Sequence, residues 1–301
     1  MKTFLFLFVL STGNFLYSQT IDAEEMVYDD VQQAIASDTT ARILNLRDKN
    51  LFCLDKDIVK LKQLTFLNLM RNKFETWDPG IFTLTELENL NIRDNKLSQV
   101  PAEIELLDKL IDLDLSKNLI PSLPHEVGKL TRLRYLNVSM NYLVHVSEEI
   151  ADCSKLEVLD LQNNQLSYLP ARLGELKKIK HLNLGYNQFK VFDENWCSLK
   201  NLKELNLEFN QIRKIPLAIK KLKKLKTLIL TGNKLEELPE SITGLKDLEV
   251  LVLSENKLQR LPKDLSNMKG LRTLIALNNA FSEPEKQRIR ESLPWCKVYL
   301  D

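Results

Sequence analysis

Asp112 and Asp114 are the residues whose type and spacing come closest to a catalytic pair. They flank Leu113 in a short segment in which polar and apolar residues alternate. If this segment is an extended strand, both carboxylates point to the same face about 7 Å apart, a spacing that suits general acid–base chemistry or cation binding. Such chemistry also needs a concave pocket that shields the carboxylates from water. The elements that carry the two residues therefore decide whether they can act.

The three histidines do not form a metal site by their spacing. His125, His145 and His181 are far apart in the sequence, and no two show the short spacing, such as H-x-x-x-H, with which histidines bind zinc. The sequence also has only 8 glycines in 301 residues, which disfavours a glycine-rich nucleotide-binding loop. We therefore predict neither a bound metal nor a cofactor.

The composition is that of an ordinary folded protein. Hydrophobic residues make up 44% of the chain and charged residues 28%, which supports a sizeable core and argues against a disordered or membrane-spanning chain. The 42 basic residues balance 41 acidic residues. Overall charge therefore favours neither a nucleic-acid partner nor a strongly anionic one.

A repeat of 23 residues fixes the position of every candidate group. Aliphatic residues lie eight, five and three residues before a recurring asparagine and two after it, and Leu-Pro or a near equivalent follows it five and six residues later. A first unit keeps the aliphatic pattern but has Lys49 at the asparagine position. The asparagines are Asn72, Asn95, Asn118, Asn141, Asn164, Asn187, Asn210, Asn233, Asn256 and Asn279.

This pattern, L-x-x-L-x-L-x-x-N-x-L-x-x-L-P-x-x-I-x-x-L, resembles that of leucine-rich repeat proteins. Its 23-residue Leu-Pro form is similar to that of Ras-suppressor and scribble-type proteins and of many secreted bacterial repeat proteins. The resemblance implies an α/β fold, a leucine-rich repeat solenoid that forms a curved right-handed horseshoe. Its parallel sheet would line the concave face, with short helical or extended segments on the convex face. It also implies a protein-binding module without enzymatic activity, since an open sheet offers no walls for a catalytic cleft.

The periodicity supports the same architecture on physical grounds. Alternation of Leu with polar residues predicts short strands with one buried face, and identical strands stack as a parallel sheet about 4.8 Å apart. Each asparagine is predicted to be structural, because its amide can bond backbone groups of its own and the neighbouring repeat that would otherwise cost about 1–3 kcal/mol each. The proline is missing at Trp77-Asp78, Val146-Ser147 and Phe192-Asp193. At those places the pattern does not define the local turn.

The two ends of the sequence differ from the repeat. Residues 1–18 have the charged start and short apolar run of a signal peptide, so we expect export to the periplasm, the cell surface or the medium. Residues 19–40, with Val27, Val31 and Ala34 at helical spacing, predict an N-terminal helical cap. The array of about eleven repeats then occupies 41–281, and a C-terminal cap occupies 282–301.

The four cysteines are predicted to be free thiols. Cys153 replaces a core leucine of its repeat and is expected to be buried. Cys153 and Cys197 lie two repeats, or about 10 Å, apart along the stack, whereas a disulfide requires Cα atoms within about 7 Å.

The exposed positions of the predicted concave face lie six, four and two residues before each asparagine. The middle position is polar in eight units and aliphatic in the last three, where the adjacent outward positions add Val250 and Leu277. We interpret this apolar region as a partner-binding site, with aromatic residues and a histidine on nearby strands and strand ends; ordinary filling of strand positions and self-association remain alternatives. The candidate residues are Ile229, Val250, Val252, Ile275, Leu277, Tyr135, His181, Tyr186 and Phe209.

Lysines concentrate within 177–180 and 220–226. Because the leucines among them keep their core positions, these lysines are expected on the convex and edge surfaces, either as a solvated face or as a contact for an anionic ligand. Interleaved aromatic residues are missing, so no nucleic acid is expected. The sequence thus predicts a module that binds a protein of unknown identity on its concave face, and as the alternative a glycan- or cell-envelope-binding adhesin that uses the lysine-rich side.

Overall fold

A single parallel sheet runs through the computed structural model, which describes residues 26–37 and 40–301. Its thirteen strands lie in sequence order, each hydrogen-bonded to the next. The predicted signal peptide lies outside the described residues. The strands are β1 (Val27–Tyr28), β2 (Ile43–Asn45), β3 (Phe66–Asn68), β4 (Asn89–Asn91), β5 (Asp112–Asp114), β6 (Tyr135–Asn137), β7 (Val158–Asp160), β8 (His181–Asn183), β9 (Glu204–Asn206), β10 (Thr227–Ile229), β11 (Val250–Val252), β12 (Thr273–Ile275) and β13 (Lys297–Tyr299).

The register of the sheet follows the 23-residue period. From β2 to β12 each residue pairs with the residue 23 positions later, as Leu113 does with Leu136. The central residue of each of these strands is buried and its two neighbours on the outward face are at least partly exposed, apart from Ile43 and Asn206, which are buried. Eleven repeat strands, from β2 to β12, therefore form one open solenoid, which confirms the predicted fold.

In the described part of the chain, ten short 3₁₀ helices run along the side of the core opposite the sheet. In five units a proline occupies the N-cap position of the helix, which its fixed φ suits. In the last unit Pro262 lies two residues before the N-cap Asp264. At two of the three places where the proline is missing, Asp78 and Asp193 cap the helix by accepting hydrogen bonds from the backbone N–H groups of Gly80 and Asn195. At the third, Ser147 occupies the N-cap position without a side-chain hydrogen bond, and the 3₁₀ helix still forms. The helices are Lys56–Lys60, Pro79–Thr83, Ala102–Leu106, His125–Lys129, Glu148–Asp152, Ala171–Glu175, Glu194–Ser198, Leu217–Lys221, Glu240–Gly244 and Leu265–Asn267.

The core is a continuous column of aliphatic side chains between the sheet and the 3₁₀ helices. Full burial of each Leu or Ile contributes about 1.5–3 kcal/mol, so every repeat depends on its neighbours for cover. Trp196, the largest fully buried side chain, packs against Phe189 and Phe192. Cys153 and Cys197 are also buried, and burial raises the pKa of each thiol to about 12.

All four cysteines are free, as the repeat spacing predicts. Cys53 is exposed and Cys296 is partly buried. Burial also raises the pKa of Cys296, to about 11. Because the thiolate is the reactive form, the three shifted thiols are poor nucleophiles at neutral pH.

The N-terminal cap differs from its prediction. Val27 and Tyr28 do not begin a helix but pair with Ile43 and Leu44 as strand β1, because a strand satisfies the open backbone edge of β2 and a helix would not. The helix α1 begins only at Val31 (Val31–Ser37). Its N-terminus is capped by Asp30, whose carboxylate accepts from the backbone N–H of Gln33 at 2.9 Å.

The C-terminal cap contains a helix and an additional strand. Helix α2 (Glu283–Ser292) begins after Ser282, whose hydroxyl accepts from the backbone N–H of Glu285, and it buries Ile289. The tail that follows α2, within the predicted C-terminal cap, adds strand β13 beside β12. No helix in the described ranges is long and apolar enough to cross a membrane.

Candidate functional site

The ladder asparagines hold the turn that ends each strand. In Asn164, Oδ1 accepts from the backbone N–H of Leu143 at 2.9 Å, and Nδ2 donates to the carbonyls of Val138 and Leu161 at 3.0 Å. Leu143 and Val138 belong to the preceding repeat, so each amide ties two repeats together. The same arrangement recurs from Asn95 to Asn279. These amides are occupied and turned into the core, and they are not available to a ligand.

A second polar ladder lies on the concave face itself. In eight units the middle outward residue accepts a hydrogen bond from the backbone N–H two residues later, at 2.8 to 3.3 Å. This is an Asx turn, for which Asn and Asp are suited because their side-chain oxygen reaches that distance. The sequence shows the polar series but not this role. Its members are Asn45, Asn68, Asn91, Asp114, Asn137, Asp160, Asn183 and Asn206.

The last three units replace this polar ladder by aliphatic residues. Ile229, Val252 and Ile275 are in direct register on neighbouring strands, and Tyr299 of β13 continues the row. An aliphatic side chain cannot accept the Asx-turn bond, so the Asx turn is lost in all three units. After Ile275 the turn N–H of Leu277 donates to the Ser254 hydroxyl instead, at 3.2 Å. We call Ile229, Val250, Val252, Ile275 and Leu277 the aliphatic stripe.

The aliphatic stripe is open to solvent. Its strand members are partly exposed, Leu277 is 38% exposed and Tyr299 is 41% exposed. Tyr299 was not among the predicted site residues, because the sequence places it in a capping tail. Only the pairing of β12 with β13 brings its ring to the end of the stripe.

Two aromatic residues form a ledge beside the stripe. The rings of Tyr186 and Phe209 stack with centroids 4.6 Å apart, and both residues have a left-handed backbone, with φ of 54° and 47°. The Phe209 ring also covers Gly232, where an added Cβ would lie 2.5 Å from the ring. The ledge therefore reaches from β8 to the unit of β10, where the stripe begins.

We expect Gly232→Ala to lower the free energy of unfolding by about 1–3 kcal/mol, from left-handed strain and displacement of the Phe209 ring. Urea denaturation of the wild type, Gly232→Ala, Phe209→Ala and the double variant measures both contributions. The alanine should cost less in the Phe209→Ala background, since the ring is then absent. An equal cost in both backgrounds would show that the ring contact is unimportant.

The remaining predicted site residues lie apart from the stripe. Tyr135 is on β6, four strands from Ile229, and the guanidinium of Arg134 lies 5.3 Å from its ring. His181 on β8 is paired with Glu204, with 2.9 Å between Nδ1 and Oε2. His125 and His145 are exposed. The structure thus groups the stripe with Tyr186 and Phe209 and leaves Tyr135 outside.

The acidic residues at the centre of the concave face are partly buried side chains on an open sheet. Burial, with a smaller effect of Asp114, raises the pKa of Asp112 to about 7, and burial raises the pKa of Asp160 to about 6. Asp114 and Asp160 each accept a backbone hydrogen bond of the polar ladder. Within the described residues no group of three His, Cys, Asp or Glu side chains could hold a metal ion.

Comparisons with known proteins agree with this architecture. A family model for a leucine-rich repeat region matches residues 190–291, and one for the leucine rich repeat matches 85–143, 138–189 and 154–212. No curated protein matches the chain.

Several solved structures are similar to the chain. A leucine-rich repeat protein of Leptospira interrogans is 32% identical, over 85% of this chain and 83% of its own, with a TM-score of 0.57. The Arabidopsis receptor kinase HAESA, solved with the peptide hormone IDA and the co-receptor SERK1, is 28% identical, over 77% of this chain and 39% of its own, with a TM-score of 0.63. The functional domain of InlJ from Listeria monocytogenes is 25% identical, over 84% of this chain and 54% of its own, with a TM-score of 0.68. From the family models, the repeat geometry and the Leptospira relative together, the chain belongs to the leucine-rich repeat family.

Proposed function

We propose that this protein is an exported, non-enzymatic module that binds a protein partner through the C-terminal third of its concave face. The observation that carries the proposal is the aliphatic stripe, where three consecutive units have Ile or Val in place of the Asn or Asp of the other eight. Strand filling alone would not require the loss of the turn hydrogen bonds after Ile229 and Val252, nor the replacement of the third by a bond from the Leu277 N–H to the Ser254 hydroxyl. A partner that covers the stripe offers a reason for that loss, since burial of apolar area is favourable.

The stripe needs its neighbours to bind tightly. Burial of about 400 Å² at roughly 25 cal/mol/Å² yields about 10 kcal/mol, which is comparable with the estimated cost of association. The ledge of Tyr186 and Phe209 on one side and Tyr299 on the other add exposed aromatic surface, and Tyr is among the residues that contribute most to interfaces. The proposed contact surface therefore extends from the ledge to β13.

The comparisons support a general role in protein binding. Leucine-rich repeat domains generally mediate protein–protein interactions, and the solved structure of the related HAESA contains a peptide hormone and a co-receptor. Export is supported by the charged and apolar start of residues 1–18.

The test is the double variant Val252→Asp/Ile275→Asp, expressed as the full chain. Its matched control, Ser139→Asp/Gln162→Asp, adds the same charge to the polar half of the same face. A partner is first captured from the native cell envelope by cross-linking, identified by mass spectrometry and purified. We expect the stripe variant to bind it at least about 30-fold more weakly than the wild type does, as for loss of a hot spot, and the control to bind within about threefold.

Two results would contradict the proposal. Equal affinity of the stripe variant and the control would remove the site from the stripe. Concentration-dependent self-association of the wild type that the stripe variant abolishes, measured by sedimentation, would assign the stripe to a second copy of the chain. Circular dichroism melting curves establish that both variants are folded.

A further inference from the structure

One flank of the solenoid carries a cluster of lysines drawn from three consecutive repeats. The positions ten, nine and seven residues before the ladder asparagine lie where the chain returns from the 3₁₀ helix to the sheet. In the units of Asn187, Asn210 and Asn233 these nine positions contain eight lysines and Asn201. We call the lysines within 177–180, 200–203 and 223–226 the lysine edge.

The cluster is not a property of the repeat. In the unit before it the same positions carry Ser154, Lys155 and Glu157, and in the unit after it Lys246, Asp247 and Glu249. The whole chain has a formal net charge of +1. Eight positive charges on three units, about 14 Å along the stack, are therefore a local concentration that the flanking units do not share.

Carboxylates neutralise only the two ends of the lysine edge. Lys180 pairs with Glu157 and Lys226 pairs with Glu249 at 2.7 Å. Lys177 and Lys223 donate to the backbone carbonyls of Gly174 and Gly244, and neutral acceptors leave their charge in place. Among the described residues no ion pair is formed by Lys178, Lys200 or Lys203, and all three are exposed.

A shallow depression lies within the lysine edge and includes the Lys180–Glu157 pair. It is lined by Lys178, Lys180, Lys203, Lys224, Glu157 and Asn201 and has a volume of about 370 Å³. Asn201 organises it, because its Nδ2 donates to the Lys177 carbonyl at 2.7 Å and its Oδ1 accepts from the Lys224 ammonium at 2.6 Å. Lys224 is thus held in place beside two ammonium groups without counter-ions, which is an arrangement that attracts an anionic group.

We propose that the lysine edge binds an acidic polysaccharide, with one carboxylate or sulfate group seated in this depression. The edge consists of lysine without arginine, although arginine is the residue best suited to bidentate recognition of phosphate and nucleic acid. None of the exposed large apolar or aromatic side chains of the described part lies within the three ranges. The edge therefore lacks both the stacking platforms of single-strand binding and the apolar anchors of membrane insertion. A linear polyanion needs neither.

The test compares the full-length wild type with Lys178→Glu/Lys203→Glu/Lys224→Glu. The matched control, Lys190→Glu/Lys214→Glu/Lys234→Glu, makes the same charge change with exposed lysines of the strand-exit side of the same units. The probes are dextran sulfate, polygalacturonate and uncharged dextran at 0.15 M NaCl, where charges beyond about 8 Å are screened. Single-stranded DNA and vesicles of phosphatidylserine and phosphatidylcholine test the other anionic classes.

We expect the wild type to bind at least one acidic polysaccharide, and the Lys178→Glu/Lys203→Glu/Lys224→Glu variant to bind it at least about 20-fold more weakly. The control should change the affinity by less than about threefold, because its lysines follow the strands whereas the lysine edge precedes them and salt screens separated surface charges. Uncharged dextran should not bind. Equal losses in the two variants, or no binding of either acidic polysaccharide by folded wild type, would overturn the proposal. Tighter binding of DNA or vesicles, with the same dependence on the three lysines, would overturn the assignment to a polysaccharide.

Discussion

Replacing Asn164 by aspartate is expected to destabilise the protein by about 3–5 kcal/mol at pH 7. The substitution keeps the size of the side chain and the acceptor for the Leu143 N–H. It removes the Nδ2 donor, so that a carboxylate oxygen faces the carbonyls of Val138 and Leu161. A buried charge opposite two unsatisfied acceptors is among the most costly changes a side chain can make.

The cost should depend on pH. Burial among carbonyls favours the protonated acid, so the pKa of the introduced carboxyl is raised in the folded state. The variant then loses stability relative to the wild type as the pH rises above about 4, the ordinary pKa of aspartate. Urea unfolding of both proteins between pH 4 and pH 8 measures the difference.

The neighbouring residue provides the control for this experiment. Asn163 is exposed and has a left-handed backbone with φ of 55°, the conformation that Asp48 and Asp94 adopt at the same position of other units. Asn163→Asp adds the same charge and should cost less than about 1 kcal/mol. Similar losses in the two variants would show that the asparagine ladder does not carry the stability assigned to it.

Replacing Asp112 by asparagine is expected to stabilise the protein at pH 8 and to have little effect at pH 4. Burial, and to a smaller extent Asp114, raises the pKa of Asp112 to about 7 in the folded state, above its ordinary value near 3.9. The folded wild type therefore binds this proton more tightly than the unfolded chain, and stability is lost as the pH rises from about 4 to about 7.

The asparagine variant should not undergo this loss. The difference in free energy of unfolding between the variant and the wild type should grow through the same interval and level off above pH 7. We expect a final difference of about 1–3 kcal/mol, less than the full shift implies because solvent screens a partly exposed carboxylate.

Asp108→Asn is the matched control, since it removes an exposed carboxylate of the same repeat. Its free energy of unfolding should follow that of the wild type at every pH. A pH-independent difference for Asp112→Asn would mean that the carboxylate of Asp112 is not destabilised by its position on the sheet.

Much of the scaffold could be predicted because the repeat encodes it locally. The 23-residue spacing, with alternating aliphatic residues before each asparagine, predicts eleven strands in register, a buried leucine column and free cysteines. Each feature depends on contacts with residues one repeat away, and the 23-residue period identifies those residues. The first cap could not be predicted in the same way. Val27 and Tyr28 have helical spacing to Val31. They nevertheless form a strand, because they pair with the exposed backbone edge of β2.

The candidate sites depended on contacts that no linear pattern contains. The polar series on the concave face is visible in the sequence, yet its hydrogen bonds require the turn geometry two residues later. Tyr299 joins the stripe only because β13 pairs with β12.

The sequence by itself determined the repeat, its register and the exchange of polar for aliphatic residues after Asn206. It also shows the lysines of the flank, but as separate short runs. Tertiary structure decided that Lys178, Lys203 and Lys224, from three repeats, surround one depression and that Asn201 fixes the last of them. The physical reason is that stacking brings residues about 23 positions apart to within about 5 Å, while the direction and pairing of each side chain depend on everything packed beside it.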